Sequence, residues 1–211
     1  DTGEDGVMNK CQKSEELGLP GITNSVEDII TARDIFLAKD TGVHLHLCHC
    51  STKGTVDLMR MAKAEGISVS AEVCPHHFTL STDDITEDHG RFKMNPPEDV
   101  EALRQGLKEG IMEAISTDHA PHSTEEKDVP MRKAVFGIVG LETSAALTYT
   151  ELVEGGVLTP MQMAERMSLA PAKILGLTDK GSVSEGKIAD LVIFDPSREY
   201  EIDTDTFFSK G

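Results

Sequence analysis

The sequence predicts an α/β fold built from parallel βα units. Three observations carry this reading. Strand-like apolar runs and helix-like periodic runs alternate four times, the links between them are only a few residues long, and ionisable residues cluster after each strand and before the next helix. In parallel βα folds that end of the sheet is where sites form.

The elements follow in order. Residues 1–25, rich in Gly, Glu and Asn, are expected to form an irregular loop with one short helical turn. Ser25 suits an N-cap with Asp28 three residues on, and Ile29, Ile30, Ala32, Ile35, Phe36 and Leu37 recur at helical spacing as far as Lys39. Asp40-Thr41-Gly42 ends that helix and releases a strand over 43–50. Ser51 to Gly54 open a second helix carrying Val56, Leu58, Met59, Met61 and Ala62, closed by Gly66. A strand over 67–73 runs into Cys74-Pro75-His76-His77; a shorter strand is expected at 92–97, a helix at 100–108 and a strand at 111–117. The charged stretch 123–135 reads as a mobile loop, followed by helices at 140–152 and 160–168 and a short one at 171–176. From Lys180 the composition shifts to short apolar runs and turns, which predicts a small antiparallel β appendage. The expected division is therefore 1–179 and 180–211.

Three strand ends present metal-type ligands. His49 closes the first run, His76 follows the second, and Asp118 opens the cluster Asp118-His119-Ala120-Pro121-His122 after the last. One such residue would be unremarkable, but three at successive strand ends point to a metal centre. His44 and His46 share the strand of His49 with opposite parity and are expected to be packing or hydrogen-bonded residues. His77 and His119, each beside an expected ligand, fall in the same class. Cysteines 11, 48, 50 and 74 contain no CxxC pair; reduced, buried thiols are expected, with Cys48 and Cys50 on one strand face.

Bulk composition narrows the partners. Lys and Arg total 20 against 37 Asp and Glu, a formal charge of −17, which argues against nucleic acid or an anionic membrane surface. No apolar stretch reaches the roughly 18 residues a membrane span requires, and a cytoplasmic location is expected.

Five blocks then carry a resemblance. His46-Leu47-Cys48-His49-Cys50-Ser51-Thr52, Ala71-Glu72-Val73-Cys74-Pro75-His76-His77, Lys93-Met94-Asn95-Pro96-Pro97, Thr117-Asp118-His119-Ala120-Pro121-His122 and Phe136-Gly137-Ile138-Val139-Gly140-Leu141-Glu142-Thr143 resemble, in this order and spacing, the bacterial class I dihydroorotases of the amidohydrolase superfamily. The resemblance implies a (β/α)8 TIM-type barrel, of which this chain would be the back half, with residues 180–211 belonging to the family's composite β domain. It implies a zinc-dependent enzyme, with one or two Zn2+ ions, that interconverts dihydroorotate and N-carbamoyl-L-aspartate in pyrimidine biosynthesis. His49, His76 and Asp118 would be metal ligands, Asp118 would also shuttle protons, and His122, Asn95 and Gly137 would contact substrate. A homodimer or an association with aspartate transcarbamoylase would be the implied assembly.

Some of the family's pattern is not found. Its first-strand His-x-His-x-Arg motif and its bridging carboxylate have no counterpart here, and residues are missing after Pro97, so the chain is expected to be part of a longer polypeptide and poorly active alone. Two other readings share these residues: another cyclic amidase, such as a hydantoinase, dihydropyrimidinase or allantoinase, and an inactive dihydroorotase-like subunit that scaffolds aspartate transcarbamoylase.

Overall fold

The structure, a computed structural model, describes residues 5–94 and 99–209. It opens with two short strands, β1 (Met8–Asn9) and β2 (Gly21–Ile22), paired in parallel around helix α1 (Gln12–Glu16). The expected helical turn is there, but so is a small core: Val7, Met8, Leu19, Ile85 and Met131 are buried together. Two-residue strands are too short to leave a periodic trace, which is why the sequence suggested only a loop.

Helix α2 (Ser25–Thr41) then leads to β3 (Leu45–Leu47), α3 (Lys53–Ala64), β4 (Val69–Val73), α4 (Pro75–Thr79), α5 (Val100–Glu109) and β5 (Ala114–Ile115). The three later strands form one parallel sheet in the order β3-β4-β5, with Leu45 opposite Val69 and Glu72 opposite Ala114. Left-handed glycines close the helices where expected: Gly42 (φ +72°) caps α2 and Gly110 (φ +76°) caps α5. No strand forms over 92–94, where a one-turn 3-10 helix (Gly90–Phe92) precedes an irregular step, and residues 95–97 of that expected strand lie outside the described residues.

Alternation along β4 sorts the sheet into two faces. Val69, Ala71 and Val73 point into the core with Val56, Met59 and Ala62 of α3, Leu103 and Leu107 of α5, and Phe78 of α4. Ser70 and Glu72 turn to the opposite face, beside His44 and His46. On α2 only Thr31, Ile35 and Ala38 are buried, while Ile29, Phe36 and Leu37 remain exposed.

Glu27 joins α2 to the start of α3. Its carboxylate accepts from Ser51 N (3.0 Å), Ser51 Oγ (2.6 Å), Thr52 N (3.2 Å) and Thr55 Oγ1 (2.8 Å), while Thr52 Oγ1 caps the helix by accepting from Thr55 N (3.0 Å). Ser51, Thr52 and Thr55 are all buried. Glu27→Ala removes their common acceptor and is expected to lower unfolding free energy by about 2–3 kcal/mol, read from urea midpoints at constant m.

After β5, the stretch expected to be mobile is pinned. It contains helix α6 (Thr124–Lys127), capped by Ser123, and the buried Lys127 donates from Nζ to the carbonyls of Lys93 (3.2 Å), Val135 (3.3 Å) and Gly137 (2.8 Å). Helix α7 (Ser144–Thr148) runs on into a π-helical segment (Tyr149–Glu154); α8 (Pro160–Ala164) does the same (Glu165–Leu169) and continues as α9 (Ala170–Ile174). The helical pattern predicted for 140–176 thus holds, with wider turns than expected.

The antiparallel β appendage does not form among the described residues. From residue 175 to 209 the backbone is irregular apart from one 3-10 turn (Thr204–Thr206), and Val183, Val192 and Ile193 are almost fully exposed. A strand needs a partner for its N–H and C=O groups, and none of the described segments pairs with these residues. The tail instead returns to the sheet end: Glu142 accepts from Ser209 N (3.2 Å), and Ser209 Oγ meets His119 Nε2 (3.0 Å).

Candidate metal centre

His49, His76 and Asp118 stand two or three residues beyond the ends of β3, β4 and β5. Because those strands are parallel neighbours, the three residues emerge at one edge of the sheet. All three line one cleft of about 560 Å³, together with Cys48, Met94, Ala120 and Gly137.

Their backbones are unusual. His49 has φ +41° and Asp118 φ +43°, and the only other residue besides glycine with positive φ among those described is Asp5. Left-handed backbone at a residue bearing a Cβ costs about 1–3 kcal/mol, and such residues gather at functional sites. Both residues are exposed.

His76 is different. It lies on the first turn of α4, is 5% exposed, and sits edge-on against His77 with ring centroids 4.2 Å apart. Burial, followed by the neighbouring His49, holds its pKa down to about 4, so the ring is neutral at physiological pH and keeps a lone pair to offer. An unfolded chain protonates this histidine near pH 6.5, whereas the folded chain does so only near 4. Stability is therefore full above the unfolded value and declines as pH falls through that window, by on the order of 3 kcal/mol from this residue. Urea unfolding in EDTA at pH 7 and pH 4.5 measures the decline, and His76→Gln is expected to flatten it by that amount.

The donor set suits a metal ion: imidazole nitrogens and a carboxylate, exposed or neutral, facing a common cleft. Their donor atoms do not form a set lying within 4.8 Å of one another. Two other groups do, Cys74 with His76 and His77, and His46 with Cys48 and Glu72. The thiols in these groups are held protonated: burial and then the Glu72 and Asp118 carboxylates raise Cys48, and burial pushes Cys74 up to about 12. The thiol environments also differ from expectation. Cys50 and Cys74 are buried but Cys48 is exposed, because β3 stops at Leu47 and the turn at His49 separates Cys48 from Cys50.

The other expected site residues divide. Gly137 lines the cleft with φ +139°, and a Cβ there would come within 2.7 Å of both Ala120 Cβ and His122 Nε2, so only glycine fits. His122 does not line the cleft; its Nε2 donates to the carbonyl of Phe136 (2.9 Å), and through that contact it supports the Gly137 wall. Asn95 lies outside the described residues. His44, His46 and His119 are hydrogen-bonded as expected, His119 Nδ1 accepting from Gly140 N (3.2 Å).

Sequence reasoning missed three contributors. Lys127 and Lys93 are both buried beneath the cleft wall: Lys127 gathers three carbonyls, while Lys93 Nζ donates to Ala134 O (2.7 Å) and lies 4.5 Å from the Phe136 ring centroid. A lysine in a charged run gives no sign of burial, so only the fold reveals it. The third is Glu72, whose carboxylate accepts from the His49 N–H (3.3 Å).

Similarity to known proteins runs along nearly the whole chain. Residues 4–211 match the Amidohydrolase family. The chain is 48% identical over 210 residues to a protein named dihydroorotase from Ligilactobacillus salivarius, covering 98% of this chain and 49% of that protein. A dihydroorotase from Pelotomaculum thermopropionicum is 49% identical with the same coverage. Among solved structures, a D-hydantoinase (dihydropyrimidinase) from Thermus sp. superposes with a TM-score of 0.78 at 26% identity, covering 92% of this chain and 44% of that one. The chain thus spans about half the length of the relatives it matches. No helix among the described residues is long and apolar enough to cross a membrane.

Proposed function

We propose, from the premise that this chain belongs to the amidohydrolase family, that it forms the sheet end and cleft of a zinc-dependent dihydroorotase. The whole protein would interconvert dihydroorotate and N-carbamoyl-L-aspartate. The observation that carries this reading is that His49, His76 and Asp118 leave three adjacent parallel strands and line one cleft. Identity near 48% to proteins named dihydroorotase supports this substrate class. The described strands would be part of a (β/α)8 barrel.

His49 and Asp118, with matching left-handed backbones and exposed side chains, would hold metal directly, and His76 would add a neutral imidazole from the cleft floor. Donors spread beyond the span of one ion suit a pair of ions better than one. Zinc, when bound, supplies Lewis acidity that makes a water nucleophilic near neutral pH. The chain's own residues supply the rest. An Asp118 carboxylate oxygen takes the proton released by the attacking water and passes it to the amide nitrogen as the ring C–N bond breaks. In ring closure the same oxygen receives the proton from the carbamoyl nitrogen. Gly137, kept free of a side chain, lets the substrate ring approach the backbone, and His122 would support that wall through the Phe136 carbonyl.

Residues 180–211 would belong to a composite β unit, which accounts for the exposure of Val183, Val192 and Ile193.

The test is a substrate comparison on the intact protein loaded with zinc. Turnover of dihydroorotate well above that of hydantoin or dihydrouracil is expected. Preference for hydantoin would move the protein to the hydantoinase branch, and zinc content with no turnover of any of these would remove the enzymatic reading.

A further inference from the structure

We propose that Glu72 is the positioning residue for His49, locking that residue's left-handed turn and ending a hydrogen-bond chain of fixed direction across the open face of the sheet. The importance given to His49 rests on the metal-ligand reading above; the hydrogen bonding does not.

Glu72 grips the turn twice. Its Oε1 accepts from the His49 N–H (3.3 Å), and its backbone carbonyl accepts from the next N–H, that of Cys50 (3.0 Å). A positive φ at histidine persists only where its surroundings over-determine it, and these two bonds to one glutamate do so. Because Glu72 lies on β4, four residues before His76, the same carboxylate ties the exit of β3 to the strand that delivers His76.

The second carboxylate oxygen sets the direction of the chain. A carboxylate only accepts, so His46 Nε2, 3.2 Å from Glu72 Oε2, must carry the hydrogen. In the arrangement proposed, His46 Nδ1 is the acceptor and takes the Ser70 hydroxyl hydrogen (2.8 Å). Ser70 Oγ in turn accepts from His44 Nε2 (2.9 Å), and His44 Nδ1 accepts from the Ser68 hydroxyl (2.9 Å). In this arrangement both imidazoles carry Nε2–H, and each ring nitrogen and hydroxyl in the run has a partner. Glu72, an obligate acceptor, is the terminus of this arrangement.

The substitution Glu72→Gln keeps the size of the side chain but leaves one carbonyl acceptor and adds an NH2 donor. It cannot accept from His49 N–H and His46 Nε2–H together. In the intact protein, two readouts are expected to move while the far-UV circular dichroism stays the same. Apparent zinc affinity drops by about 10–100-fold, the usual effect of removing a group that orients a ligand. The His49 amide loses at least about tenfold of its hydrogen-exchange protection in the metal-free protein, through loss or weakening of its bond. Zinc affinity within twofold of wild type together with unchanged His49 exchange would overturn the proposal. If the wild-type protein holds no zinc, the metal reading fails by itself, and the exchange arm still decides the role of Glu72. Should the variant not fold, nitrogen-15 NMR of the wild type decides instead: Nε2–H at His44 and His46 supports the chain, and Nδ1–H at His46 overturns it.

Discussion

Asp118→Asn is expected to lower the turnover of dihydroorotate by on the order of 10³-fold, within the range general acid–base groups contribute. The amide is nearly isosteric but can neither accept the proton of the attacking water nor deliver one to the ring nitrogen. It is also a weaker metal ligand, so zinc content should fall as well. The fold should be unaffected, since Asp118 is exposed. Asparagine also tolerates the left-handed backbone this position adopts, with φ +43°. The variant therefore separates chemistry from structure: circular dichroism and melting temperature close to wild type, with kcat nearly abolished. Retention of more than a tenth of wild-type kcat at saturating zinc would show that another group moves the proton.

Phe78→Ala is expected to cost about 3–5 kcal/mol of unfolding free energy, the range for emptying a fully buried aromatic site. Phe78 is 0% exposed and packs into the main core with Leu103, Leu107 and Leu152. Its backbone carbonyl also accepts from Arg104 Nε (2.8 Å), and Arg104 pairs with Glu151 (2.7 Å), so α4 is fixed to α5 and to the π-helical segment at once. The ring and His76 lie on the same five-residue helix. Loss of the ring frees that helix to settle into the cavity and carry His76 away from the cleft, so activity should fall even under conditions where the variant is folded. Phe78→Leu, which retains most of the volume, should lose less than half as much stability. Equal losses for the two variants, in denaturant midpoints, would show that the cavity is not the cause.

The legible part of this molecule is the part with long-range pattern. Alternation along 67–73 gave β4, the turn at Gly42 and the cap at Gly110 marked helix ends, and ionisable residues after apolar runs located His49, His76 and Asp118 at strand ends. What escaped is set by tertiary contact. The left-handed φ of His49 and Asp118 was hidden because neither position is a glycine; their surroundings impose it. Lys127 sat in a charged run and gave no sign that three carbonyls would draw it inward. The pair β1 and β2 was too short to show a period. Residues 180–209 have the short apolar runs and turns of strands, but such runs state only that a segment could pair, and pairing requires a second segment in reach. His122, expected to contact substrate, supports the wall through Phe136 and does not line the cleft.

The centre itself is tested most directly by anomalous diffraction at the zinc edge from crystals of the intact, zinc-loaded protein. Zinc peaks within bonding distance of His49 and Asp118, with His76 at the same cluster, are the expected result. Peaks seated instead on His46, Cys48 and Glu72, or no peak in this cleft, would contradict it.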